Sequence, residues 1–66
     1  MLKFTSTYQN DDDVYGTVLV CPQDVVMVKG DNRGSILFLR GLAEMACVKE
    51  PVAVVEEALL VAITNP

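Results

Sequence analysis

Four small groups of side chains in this sequence are candidates for charge-based or nucleophilic chemistry. Asp11, Asp12 and Asp13 set three carboxylates in a row, with Tyr8 and Tyr15 on either side. Lys29, Arg33 and Arg40 surround a segment with Gly at both ends, Gly30-Asp31-Asn32-Arg33-Gly34. Cys21 and Cys47 are the two thiols, and Glu56 and Glu57 stand side by side. Carboxylate oxygens suit a hard cation such as Ca²⁺ or Mg²⁺. A consecutive triplet, however, does not aim three carboxylates at one ion without a shaped loop, and the spacing, glycine and distal glutamate of an EF-hand loop are absent. The triplet reads as a solvated acidic loop, with contact to a basic partner as its functional alternative.

The other groups are weighed the same way. Zinc would lack ligands within one chain, because there is no His and no Cys-x-x-Cys pair. Neither cysteine has a His to serve as its base, so both are expected as free, buried, small apolar side chains. Glu56 and Glu57 are expected on the solvent face of a helix, not as an acid/base pair across a substrate. Gly30 and Gly34 lack the strand–loop–helix context of a phosphate-binding loop. The chain is therefore expected to have no catalytic residue, no metal and no cofactor, and not to be an enzyme. The cations at residues 29–40 are the best recognition candidates. Lys29 and Arg40 are expected to face each other across a hairpin, and two or three cations at its tip would grip a phosphate or an acidic protein patch. Tyr15, beside the acidic loop, is a candidate to stack on a base or anchor a partner. The expected contact set is Asp11, Asp12, Asp13, Tyr15, Lys29, Arg33 and Arg40.

The elements that must position these residues follow from periodicity and punctuation. Residues 2–8 alternate in part, with Leu2, Phe4, Ser6 and Tyr8 on one face, and read as a strand. Residues 9–13 form a polar loop, and residues 14–21 a second strand. Pro22 interrupts ladder pairing before residues 24–29 resume as strand. Residues 30–34 read as a β-hairpin loop, followed by a strand at 35–40, a reversal at Gly41-Leu42 and a strand at 43–49. Glu50-Pro51 opens a helix over roughly residues 51–63, Pro suiting the first helical position and the glutamates its dipole. Asn65-Pro66 ends it. The fold class is α+β: a small antiparallel sheet of four or five strands with one C-terminal helix, in a single domain over residues 1–66.

Composition sets the function class. The chain has 66 residues, 52% of them hydrophobic, and a net charge of −4. A domain this small buries only about 60% of its unfolded surface and usually adds disulfides, metal or a partner. The helix is apolar over more than half its circumference, and Ile36-Leu37-Phe38-Leu39 and Val25-Val26-Met27-Val28 are apolar on both strand faces. One helix covers one face. A second copy of the chain is the economical cover for the other, and curling of the sheet into a partial barrel is the alternative. Ile36, Leu37, Phe38, Leu39, Leu59 and Ile63 are the expected oligomer interface. The acidic balance argues against direct DNA binding. No apolar run reaches the ~20 residues of a membrane span, no secretory signal is visible, and two thiols without evident pairing fit a reducing cytoplasm.

Over residues 18–60 the chain resembles the small FlbD-like family of flagellar and swarming-motility proteins. The matching stretches are Val20-Cys21-Pro22-Gln23-Asp24-Val25, Ser35-Ile36-Leu37-Phe38-Leu39, Val48-Lys49-Glu50-Pro51 and Val54-Val55-Glu56-Glu57. They differ from the family at Cys21, where Asn is usual, and at Pro51, where a small polar residue is usual. The resemblance implies the same strands and C-terminal helix and a regulatory role exercised on another protein; it carries over no catalytic residue. Similar short chains also occur in bacteriophages. The expected function is a non-enzymatic binding and regulatory module acting by protein–protein interaction as a homo-oligomer. The alternative is a phage-type anti-defence inhibitor that blocks a nucleic-acid-binding host protein or sequesters a small anionic nucleotide signal between subunits.

Overall fold

The computed structural model describes residues 1–41 and 45–64. It contains strands β1 (Leu2–Gln9) and β2 (Tyr15–Val20), a 3-10 turn (Pro22–Asp24), strands β3 (Val25–Asp31), β4 (Gly34–Leu39) and β5 (Met45–Val48), and helix α1 (Val52–Thr64). The strands form one five-stranded sheet in the order β2-β1-β5-β4-β3, antiparallel throughout. This is the α+β architecture expected from the sequence. The reversal at Leu42, the start of the fifth strand at residues 43–44 and the helix end at Asn65-Pro66 lie outside the described residues.

The topology forces the sheet to curl. β2 and β3 follow one another in the chain yet occupy opposite edges. Four spacings of ~4.8 Å would separate those edges by roughly 19 Å in a flat sheet. The registers add a stagger. Val20 pairs with Leu2, Val48 with both Ser6 and Ser35, and Leu39 with Val25. The path descends four residues along β1 and four along β4, so the end of β2 and the start of β3 stand about eight rows, roughly 26 Å, apart along the strands. The five Cα steps from Val20 to Val25 span at most about 18 Å. Only a curled sheet of tilted, staggered strands brings those ends within reach, which is the shear of a partial barrel.

Alternation then sorts the side chains. On β4, Ser35 and Leu37 are buried and Leu39 packs against the core, whereas Ile36 and Phe38 point to the outer face. Phe4, Val20, Leu37 and Val48 from four strands meet Val55 of α1 as the buried core. The helix lies on the inner face, touching β1, β3, β4 and the 3-10 turn. Its inward stripe is Val52, Val55, Leu59 and Ala62, the helical i, i+3, i+7 spacing. Gly30 leaves room for it, since a Cβ there would lie 3.0 Å from Val52 Cγ2. The Pro51 carbonyl accepts from the N–H groups of Val54 and Val55 at 3.0 and 3.1 Å. Pro51 thus caps the helix, one residue before the position expected for it.

Glu50 has a different role from the dipole partner that its place in the sequence suggests. β5 ends at Val48, one bond short of completing its ladder with β1. The Lys49 N–H still donates to the Thr5 carbonyl at 2.8 Å, but the chain then turns into the helix. The Glu50 carboxylate takes the place of the missing strand carbonyl. It accepts from Thr5 N–H at 2.9 and 3.1 Å and from Thr5 Oγ1 at 3.0 Å. The buried Ser35 hydroxyl donates to the Glu50 carbonyl at 2.7 Å, tying β4 to the same turn.

Candidate functional site

A pocket of about 330 Å³ opens where the β3–β4 turn meets the β1–β2 arms, lined by Thr7, Tyr15, Arg33 and Lys49. Each element delivers one part of it. The hairpin loop is shorter than the five residues expected: β3 runs through Gly30 to Asp31, and only Asn32 and Arg33 make the turn. Asp31 Oδ1 shapes it by accepting from the N–H groups of Arg33 and Gly34 at 2.8 and 2.9 Å. Gly34 has φ +147°, and a Cβ there would lie 2.7 Å from the Lys49 carbonyl carbon. Only glycine lets this turn sit directly on the Lys49 backbone, so Arg33 comes beside Lys49. A register shift in β1 between Thr5 and Gln9 places Gln9 opposite Tyr15. The Lys49 ammonium lies 3.6 Å above the centre of the Tyr15 ring, a cation–π contact.

The residues that line the pocket carry a guanidinium, an ammonium and two hydroxyls. That donor set suits an oxyanion. It offers no imidazole and no nucleophile with a base beside it. Of the residues singled out in the sequence, the structure brings Tyr15 and Arg33 together here. Lys49 and Thr7 were missed. In the sequence both are only members of expected strands, at 2–8 and 43–49, and the β1-β5-β4 order is needed to see that Lys49 and Arg33 meet.

Lys29 and Arg40 are not partners across the hairpin, contrary to expectation. Lys29 stands opposite Ile36 on the outer face. Arg40 lies beyond Leu39 at the far end of β4, where its N–H donates to the Asp24 carbonyl at 2.7 Å and its Nη2 to the Gln23 carbonyl at 3.3 Å. The actual turn, with Asp31 opposite Gly34, puts the two cations far out of step.

Asp11, Asp12 and Asp13 are exposed in a loop that Asn10 organises. Asn10 Oδ1 accepts from Asp12 N–H at 2.9 Å and Val14 N–H at 3.0 Å, and Asp13 takes a left-handed φ of 58°. Among the described residues no three His, Cys, Asp or Glu side chains gather into a metal-binding set. Cys21 and Cys47 are free and half-buried, and the Cys21 thiol donates to Gln23 Oε1 at 2.9 Å.

The six expected interface residues divide. Leu37 is fully buried within the single chain, so it is core and offers no surface to a second copy. Leu39 and Leu59 pack against that core. Ile36 and Phe38 lie on the outer sheet face, and Ile63 is 61% exposed on the helix. Met27, Phe38 and Met45 stand directly opposite one another across three strands. Met27 and Met45 are 52% and 57% exposed. A separate apolar groove of about 480 Å³ runs along α1, with Leu2, Val54, Ala58 and Val61 among its walls. No described helix is long and apolar enough to cross a membrane. Comparison with protein-family models, curated proteins and solved structures finds no match to this chain.

Proposed function

We propose that this chain is a non-enzymatic binding and regulatory module of the cytoplasm, acting through protein–protein contact as a homo-oligomer. The observation that carries the reading is the Met27–Phe38–Met45 row on the face opposite the helix. Among the described residues, five hydrophobic side chains are buried and twelve large ones are exposed. So small a core leaves the single chain marginal. The outer row is continuous across three strands and carries no charge; the next row towards the hairpin turn is Lys29, Ile36 and Cys47, with its one cation at the β3 edge. A second copy is its fitting occupant, because an uncharged row can meet its own image about a two-fold axis without pairing like charges. The absence of histidine from the whole chain supports a role without acid/base chemistry.

The test is the molar mass of the chain in solution, by size exclusion with light scattering. Wild type should assemble at micromolar concentration. Met45→Glu should give a folded monomer by circular dichroism, because that side chain is exposed and its loss leaves the core intact. Ile63→Glu, on the helix side, should leave the assembly unchanged. A monomeric wild type at roughly 10 µM and above would refute the reading, since a standard interface holds at that concentration. Assembly abolished by Ile63→Glu but not by Met45→Glu would refute the outer face as its site.

A further inference from the structure

We propose that the Thr7–Tyr15–Arg33–Lys49 pocket binds a phosphoryl group, carried by a small phosphate ester. Four observations carry this, and none depends on the assembly of the chain.

First, two cations converge on one cavity in a protein whose net charge is −4. Like charges brought together on a small surface repel unless an anion sits between them. Second, the fold brings them together by a costly device. Gly34 is held at φ +147° with its Cα against the Val48–Lys49 backbone, and this contact seats Arg33 beside Lys49. Third, the carboxylates closest in sequence to the two cations, Asp31 and Glu50, accept their hydrogen bonds from other donors. Asp31 Oδ1 holds the turn through two N–H groups, and both Glu50 oxygens are bonded to Thr5. Those bonds leave the Arg33 guanidinium and the Lys49 ammonium as donors for an anion, Lys49 resting on the Tyr15 ring. Fourth, the volume of about 330 Å³ lies at the small end of ligand sites, about 300–1,000 Å³.

The pocket also says which part of a ligand it reads. Lys49 occupies one face of the Tyr15 ring at 3.6 Å, so that face does not stack on a base. The ammonium lies over the ring, and Arg33 lines the same pocket from the turn. Between them is room for a tetrahedral oxyanion, with the Thr7 and Tyr15 hydroxyls as further donors. A phosphate monoester offers the charge and the acceptors that this donor set matches.

The test is a ¹⁵N-resolved NMR titration of the full chain with two probes, inorganic phosphate and a nucleoside 5′-monophosphate. Saturable shifts centred on Thr7, Tyr15, Arg33 and Lys49 are expected with both. Arg33→Gln and Lys49→Gln should each weaken binding about tenfold, the loss of one charge-assisted hydrogen bond. Both side chains are at the surface, so the fold should survive, and the spectrum itself reports whether it does. Lys29→Gln and Arg40→Gln remove the same charge away from the pocket and should change affinity less than about twofold. Equal affinity for the two probes would mean that the pocket reads the phosphoryl group alone. Tighter binding of the nucleotide would mean that it also holds part of the ester. Non-saturating shifts, or equal losses in all four variants, would overturn the proposal and leave only diffuse attraction of anions to a cationic face.

Discussion

Replacing Glu50 tests whether a side-chain carboxylate completes the β1–β5 ladder. Three hydrogen bonds from Thr5 end on it, at 2.9, 3.1 and 3.0 Å, in a half-buried setting. Glu50→Ala leaves the Thr5 N–H without an acceptor, at a cost of about 1–3 kcal/mol. For a domain of this size each ~1 kcal/mol lowers Tm by about 4–8 °C. A loss of about 2 kcal/mol therefore predicts a fall of roughly 8–16 °C. Urea unfolding followed by circular dichroism, at one fixed protein concentration, measures it. A helix-dipole role would give a similar sign but a smaller effect, about 0.3–1 kcal/mol. The double-mutant cycle with Thr5→Val separates the two. Loss of the Oγ1 bond should couple the sites by at least ~0.5 kcal/mol, whereas a dipole effect would be additive. Glu50→Asp keeps the charge and shortens the arm, so it should behave more like Ala than like wild type. Additive behaviour, or an Ala variant within a few tenths of a kcal/mol of wild type, would refute the ladder-completion argument.

Three further perturbations address the fold that positions the pocket. Leu37→Ala opens a cavity at the centre of the buried core and should cost about 2–5 kcal/mol in the same urea assay. Gly34→Ala drives a Cβ into the Val48 carbonyl and against the Lys49 backbone at a strained φ; it should cost about 3 kcal/mol or more, or prevent folding, by thermal melts. Asn10→Ala removes the acceptor of two loop N–H groups and should cost about 0.5–2 kcal/mol, with amide exchange accelerated at Asp12 and Val14 and unchanged at Val48.

The strands and helix were legible because each obeys a local rule. Polar Gln9–Asp13 breaks one strand from the next, Pro22 breaks another, and Glu50-Pro51 precedes a helix. Partners were not legible, because pairing is a long-range property. Nothing local tells that β2 and β3, four residues apart, stand at opposite edges of the sheet. The error over Lys29 and Arg40 is one of register: a turn within residues 30–34 pairs Lys29 with the start of β4, several residues before Arg40. Of the two glycines that flank the segment, Gly30 serves the close approach of Val52 and only Gly34 serves the turn. Leu37 was misjudged because a continuous apolar run hides its own alternation. Ile36 and Phe38 face out and Leu37 faces in, and only the pairing with Val28 and Ala46 reveals which is which. The pocket was half visible. Tyr15 and Arg33 were picked out for loop chemistry, whereas Lys49 looked like the end of a strand.

The pocket and the apolar row share the outer face, and β5 connects them. Alternation along this strand puts Met45, Cys47 and Lys49 on one side. Four residues separate Met45 from Lys49, about 13 Å at ~3.3 Å each. A standard interface of ~800 Å² per partner has a radius of roughly 16 Å. A second copy centred on the Met27–Phe38–Met45 row would therefore reach the rim of the pocket. Binding and assembly are then linked, and the linkage is reciprocal: phosphate must shift the assembly midpoint by the factor by which assembly shifts phosphate affinity. Sedimentation of wild type with and without phosphate should show a change in that midpoint, and Lys49→Gln should abolish the change while keeping the assembly. A midpoint unmoved by saturating phosphate would separate the two surfaces, and with them the idea that one regulates the other.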